Sequence, residues 1–213
     1  MLDLSSARTV RSCALFLLAA LLAGACQGIP GPSPAFGNRT ESLGPQRLDE
    51  VRPGDIAVLP VVNQTPVEDL AVETFRRAFQ AGLVARLYSP LDLAYVDEAS
   101  VDGHWQESSF PGSPPPDAVL VVAVNHWSTS DVVGQGLLEV GAELRLFAGG
   151  SAEGTPLWGA QVDRKVRVAT GNPPYGPLEE LVGQGIVEYA RLALEVLPAR
   201  DPLAVPRESS AGR

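Results

Sequence analysis

The residue best suited to chemistry in this 213-residue chain is Cys26, which follows Leu22-Ala23-Gly24-Ala25 at the end of an apolar run. A thiol is a nucleophile that can take up an alkyl or acyl group. Small residues ahead of the thiol fit a narrow peptidase cleft, and Ala23, Gly24 and Ala25 meet that demand. No other cluster matches it. His104 and His126 are the only two histidines, and no His, Cys or carboxylate spacing around them forms a metal site. No glycine-rich phosphate loop with its lysine follows the first strand, and no Gly-x-Ser-x-Gly elbow occurs. Glu179-Glu180 read as acids complementing the dipole of a helix start rather than as a catalytic pair. The expectation is no catalytic residue, no metal and no cofactor.

The elements around Cys26 have the layout of a secretory leader: Arg8 and Arg11, an apolar stretch of roughly eleven residues from Cys13 to Ala23, then the small residues. A bilayer span needs about 20 apolar residues, so the stretch is too short to cross one. The arrangement resembles a bacterial lipoprotein processing site, with Ala23 where the usual motif favours Leu. It implies alkylation of the thiol by a diacylglyceryl group and cleavage of the Ala25–Cys26 bond to free a new amine, hence a signal peptide over residues 1–25 and a lipid anchor at Cys26. Two or more acyl chains hold a protein to a membrane durably, at about 0.8 kcal/mol per buried methylene. Gln27 in place of Asp leans toward the outer membrane. The alternative is an ordinary secretory signal cut near Ala25, which leaves one thiol with no disulfide partner, because Cys13 is lost with the leader.

Without Arg8, Arg11 and Asp3 the 16 basic and 25 acidic residues fall to 14 and 24, a net charge of −10. That excludes nucleic acid as a natural partner and disfavours attachment to anionic lipid through a basic patch. Residues 26–54 are rich in Gly and Pro, contain Ser and Asn and few large apolar groups, and read as the anchor plus a flexible linker. Its reach is about 90 Å when fully extended. Residues 55–198 read as one globular domain, and residues 199–213 as a disordered tail.

Within the domain, Asp55 to Asn63 is apolar at consecutive positions and predicts an interior strand. Thr65-Pro66-Val67-Glu68 reads as a capping box, Thr65 at the N-cap and Glu68 reaching back, for a helix ended by Gly82. A short strand over 84–88 and a short helix begun by Ser89-Pro90-Leu91-Asp92 and running to about Glu98 follow. Residues 101–116, with His104, Trp105 and Phe110, form a long loop. Ala118 to Val124 predicts a central strand. Leu138 to Leu146 and Trp158 to Val168 each alternate apolar and polar residues, which predicts a hairpin with one buried face. A symmetric turn would set Glu139 against Lys165 and Leu146 against Trp158. Pro177 to Leu197 carries an apolar helical stripe that should cover the sheet. The fold class is α/β (α+β): a single mixed sheet of about five strands with two long helices and one short one, in the order β-α-β-α-β-β-β-α.

Leu59-Pro60-Val61-Val62-Asn63-Gln64-Thr65-Pro66, Pro116-Asp117-Ala118-Val119-Leu120 leading to His126-Trp127, and Leu157-Trp158-Gly159 together resemble a bacterial lipoprotein family of the genome-derived-antigen (GNA) type. That family looks related to the LpoB activator of penicillin-binding proteins, the N-terminal domain of TolB and the curli secretion channel subunit CsgG. The resemblance implies a compact periplasmic α/β domain that binds proteins and catalyses nothing. The chain departs from it at Pro111 to Pro116 and at the Gly149 to Gly154 turn.

The functional expectation is a lipid-anchored, periplasmic accessory or scaffold domain of an envelope complex, not an enzyme, with an envelope protein as partner. Trp105, Trp127 and His126 are the candidate contact residues, because exposed aromatics concentrate interface energy; local packing of the two tryptophans is the bland reading. Self-association through a sheet edge is open. Two alternatives stand beside this one: a secreted hydrolase with a site near His126, and a subunit of a curli-like export complex.

Overall fold

A computed structural model describes residues 36–44, 46–101, 104, 105, 115–168 and 176–201, and Phe36–Arg213 form one compact unit. Its class is mixed α/β. One sheet holds seven strands: β1 (Arg39–Ser42), β2 (Asp55–Val58), β3 (Val62–Asn63), β4 (Ser89–Pro90), β7 (Ala118–Ser128), β8 (Leu137–Ala148) and β9 (Trp158–Arg167). The order is β1-β9-β8-β7-β2-β4, with β3 also on β7. β5 (Ser100–Val101) and β6 (His104–Trp105) form a separate two-stranded sheet. Five helices accompany them among the described residues: α1 (Leu48–Val51), α2 (Val72–Ala85), α3 (Leu93–Ala99), α4 (Val132–Gln135) and α5 (Leu178–Leu194).

The hairpin pairs in the expected register. Glu139 lies opposite Lys165 and Leu146 opposite Trp158. Leu138, Val140, Ala142, Leu144 and Leu146 are buried on one face of β8, where the two long helices α2 and α5 cover the sheet. The Tyr189 ring of α5 meets Phe75 and Phe79 of α2 edge-on, at centroid distances of 6.1 and 6.3 Å. Its hydroxyl donates to the Val162 carbonyl at 2.8 Å, which satisfies the one polar atom that this burial would strand. The opposite face is apolar only near β2 and β7, where Val96 of α3 packs with Ala57, Leu59, Val119 and Phe147.

Four local expectations are corrected. Thr65 and Glu68 do not cap α2, which starts seven residues after Thr65 behind Ala71, with no side-chain cap. The Asn63 side chain takes over instead: its oxygen accepts from the Thr65 N–H and hydroxyl at 2.9 and 2.8 Å, and its amide donates to the Val67 carbonyl at 2.6 Å. Asn and Thr favour such local closures over a helical start. Gly82 does not end the helix, which runs on to Ala85. The strand expected over 84–88 is the end of α2 and a reversal at Leu87, whose φ is 65°. Asp92, not Ser89, caps the short helix α3, accepting from the Ala94 and Tyr95 N–H groups.

The segment read as linker takes part in the fold. β1 adds to the edge of β9 over four residue pairs, and Leu48 of α1 is buried in the core. At the other end, the Arg200 N–H donates to the Arg86 carbonyl at 3.0 Å.

Candidate functional site

The polar groups that gather closest lie on the second face of β7, β8 and β9, beyond the cover of α3. Three features of the strands bring them together. β8 and β9 alternate, so Glu139, Glu143 and Arg145 share this face with Gln161, Asp163 and Lys165. The β7–β8 register shifts between Val124 and His126, which makes Asn125 the extra residue of a bulge. A bulge re-aims the side chains after it. His126 therefore stands opposite Gly141 on the polar face and Trp127 opposite Val140 on the core face. Gly141 makes room: a Cβ there would lie 2.8 Å from Asp163 Oδ1 and 3.0 Å from both Asn125 Oδ1 and His126 Cβ.

Glu139 is the hub. Its carboxylate takes Lys165 Nζ at 2.6 Å and faces His126 Nε2 at 3.4 Å, with its own side chain 15% exposed. Burial by itself raises the carboxyl pKa, but hydrogen bonds and charge from Lys165 and His126 outweigh that and hold it below the ordinary carboxylate range. Phe36 lies on the imidazole of His126, ring centroids 3.9 Å apart and planes 14° apart. Next to this triad, Asn125 and Gln161 exchange side-chain hydrogen bonds at 2.9 and 3.3 Å, and Gln161 donates to Asp163 at 2.6 Å. Asp163 also faces Arg39 at 3.5 Å. Arg164 reaches the Arg39 carbonyl at 2.7 Å and the Thr40 hydroxyl at 2.6 Å, fastening β1 beside the cluster.

Chemically, the arrangement can recognise polar surfaces and can hold an imidazole against a carboxylate. His126 is half-exposed, and Ser128, the nearest hydroxyl in sequence on this face, pairs with Ser130 at 3.0 Å. Among the described residues, no group of three or more His, Cys, Asp and Glu could hold a metal ion. No described helix is long and apolar enough to cross a membrane.

The sequence-derived site residues fare differently. Ala25 and Cys26 lie outside the described residues, as does the Pro-rich stretch 111–114. Trp105 and His104 have backbone in β6, and their side chains lie outside what is described. Trp127 is partly buried against the core, edge-on to Phe75 at 5.5 Å, so local packing accounts for it. Of the two named contact residues whose side chains are described, Trp127 and His126, His126 stands in the cluster. Phe36 escaped notice; its one signal is that it is the single aromatic between Cys26 and Asp55. Arg76 also escaped notice. It is 3% exposed, donating from Nε to the Val58 carbonyl at 3.0 Å and pairing with Asp97 at 2.6 Å.

The motif residues that carried the family resemblance do structural work here. Asp117 accepts the Gly54 and Asp55 N–H groups at 2.7 and 3.1 Å, pinning the start of β2 beside β7. Trp158 is 2% exposed. A Cβ on Gly159 would sit 2.6 Å from the Leu43 carbonyl oxygen, so only glycine lets the chain leaving β1 cross β9 there.

No protein-family model matches the chain, and no curated protein matches it. Among solved structures, the chain is similar to PelC from Paraburkholderia phytofirmans, a dodecamer, at 18% identity over 72% of this chain and 96% of that one, with a TM-score of 0.43. It is similar to lipoprotein GNA1162 from Neisseria meningitidis at 21% identity over 68% and 99%, with a TM-score of 0.39. The hypothetical protein CT253 from Chlamydia trachomatis matches at 13% identity over 66% and 95%, with a TM-score of 0.40.

Proposed function

We propose that this chain is a lipid-anchored domain on the periplasmic side of the outer membrane that engages an envelope protein as an accessory or scaffold and performs no catalysis. The observation that carries the anchoring is the leader: basic residues, a short apolar run and three small residues abutting Cys26. Recognition is supported by the polar face of β7–β9. No helix covers it among the described residues, and its charges are set in fixed pairs, Glu139 with Lys165 and Arg145 with Glu143. Fixed charges on a sheet face select partners by complementarity rather than by strong non-specific attraction. Tethering raises the local concentration near membrane-bound targets and lets a modest interface suffice.

The test is in-cell photo-crosslinking from residue 143 or 145 on this face, against residue 127 on the core side as control. The expected result is a discrete protein adduct from the face positions, lost in Lys165→Glu. Adducts to lipid alone, or none, would count against it. A second reading, a hydrolase, draws on the half-exposed His126 beside Glu139. It requires purified protein to cleave ester or amide substrates at a rate that His126→Ala abolishes.

A further inference from the structure

We propose that the domain stands on the phospholipid leaflet by one defined end, the end of the sheet carrying Leu137, Arg167 and Phe36, with the α4 turn and the first turn of α5 in contact with the headgroup interface. The proposal rests on the anchoring reading above and adds an orientation and a contact surface to it.

Chain length sets the orientation. Phe36 is fixed on the His126 ring, and from Asn38 onward the chain is bonded to β9, beginning with the Lys165 N–H on the Asn38 side chain at 2.8 Å. Only ten residue steps separate Cys26 from Phe36. Fully extended they reach about 35 Å, and as a coil they span about 17 Å. β1 is antiparallel to β9, so the tether enters at the Arg167 end, while the Gly149 turn lies at the far end of the hairpin. β8 has 12 residues. At about 3.3 Å per residue it separates those two ends by about 36–40 Å. Phe36 lies on His126, opposite Gly141, which is four residues from the Leu137 end and eight from Gly149, so about 13 Å and about 26 Å from the two ends; a coiled tether spans the first distance and only a strongly stretched one the second, which favours the tether end as the lowest.

The lowest end also has the surface for the contact. α4 lies between β7 and β8 at this end, and α5 starts beyond it, since Gly185, seven residues later, packs on Leu138 and Val168. Val133 in α4 is 62% exposed and Leu178 at the start of α5 is 46% exposed. Apolar side chains on short helical turns favour the interface between water and acyl chains. Charge here is mixed: Arg167, with no partner among the described residues, stands with Asp131, Glu179 and Glu180. The contact therefore depends on apolar insertion and tether length, not on anionic lipid.

The test uses the chain from Cys26 to Arg213, coupled through the Cys26 thiol to a maleimide phospholipid in phosphatidylcholine vesicles. The reference is the same chain with its thiol capped, mixed with bare vesicles. Amide hydrogen exchange of residues 128–138 and 178–182 is expected to slow several-fold on coupling, with residues 149–157 unchanged. Val133→Glu with Leu178→Glu is expected to remove the slowing while coupling stays complete. No slowing at the tether end, slowing at 149–157, or slowing that survives the double substitution would overturn the proposal. The lipid is attached chemically, so this outcome is independent of whether cells acylate Cys26.

Discussion

Two glycines in one helix provide a matched test of how α5 lies on the sheet. A Cβ at position 185 would come within 2.6 Å of both Leu138 Cδ2 and Val168 Cγ1 and 3.4 Å of Leu138 Cβ. Both neighbours are buried, and the β-branched valine has little rotamer freedom with which to retreat. Overfilling a packed site costs about 1–3 kcal/mol, while replacing a mid-helix glycine by alanine contributes about 1 kcal/mol of helix stability. Two contacts at 2.6 Å put the overfilling cost in the upper part of that range, about 2–3 kcal/mol, so Gly185→Ala should destabilise by about 1–2 kcal/mol net. A Cβ at Gly183 meets nothing within 4 Å, so Gly183→Ala keeps the whole gain of about 1 kcal/mol. The two variants should separate by about 2–3 kcal/mol. In urea melts this appears as midpoints displaced in opposite directions from the parent at unchanged slope. In thermal melts of a domain this size it is a difference of about 4–12 °C. Midpoints that move together, or a Gly185→Ala protein more stable than the parent, would refute the close approach of α5 to β8.

The Glu139 hub makes stability depend on pH with a defined sign. A carboxyl held below its ordinary value stabilises the fold above the unfolded pKa of about 4.3, and the contribution disappears as pH falls through the folded value. Glu139→Gln should be less stable than the parent near neutrality, with the gap closing in acid; a gap constant with pH would contradict the pairing. Asp97→Ala leaves Arg76 buried without its counter-charge and should cost about 3 kcal/mol. Arg76→Met leaves behind an Asp97 that is half exposed, and should cost less than Asp97→Ala in urea titrations. Phe36→Ala removes the ring on His126, costing about 1 kcal/mol. It should also speed amide exchange in residues 39–42 without altering that of the central strand β7.

Sequence pattern reached furthest where one physical rule operated alone. β8 from Leu138 to Leu146 alternates throughout and β9 does so except at Arg164, so their buried faces and the Glu139–Lys165 and Leu146–Trp158 pairs follow from a period of two and a symmetric turn. The stripe of α5 was equally plain. β1 was hidden because all four of its residues are exposed: Arg39 to Ser42 pair through the backbone, and no apolar alternation marks them. The capping box failed where two local hydrogen-bonding schemes competed and the Asn63 turn won. The apolar run Leu83 to Tyr88 has the look of a strand, yet Leu83 serves a helix and Tyr88 turns inward only after Leu87 reverses the chain. The cluster around Glu139 was half visible. Its cross-strand pair could be placed from the alternation, while the bulge at Asn125 that turns His126 toward it has no residue signature.

Lipidation of Cys26 is a covalent change that a mass measurement detects. The protein should be purified from detergent-solubilised envelopes with its leader intact at synthesis, and the mass of its N-terminal peptide measured. The expected peptide begins at Cys26 and is heavier by a diacylglyceryl group and an amide-linked acyl chain, with Cys26→Ala appearing unmodified and in the soluble fraction. A wild-type peptide with a free thiol, recovered from the soluble periplasm or the medium, would contradict it.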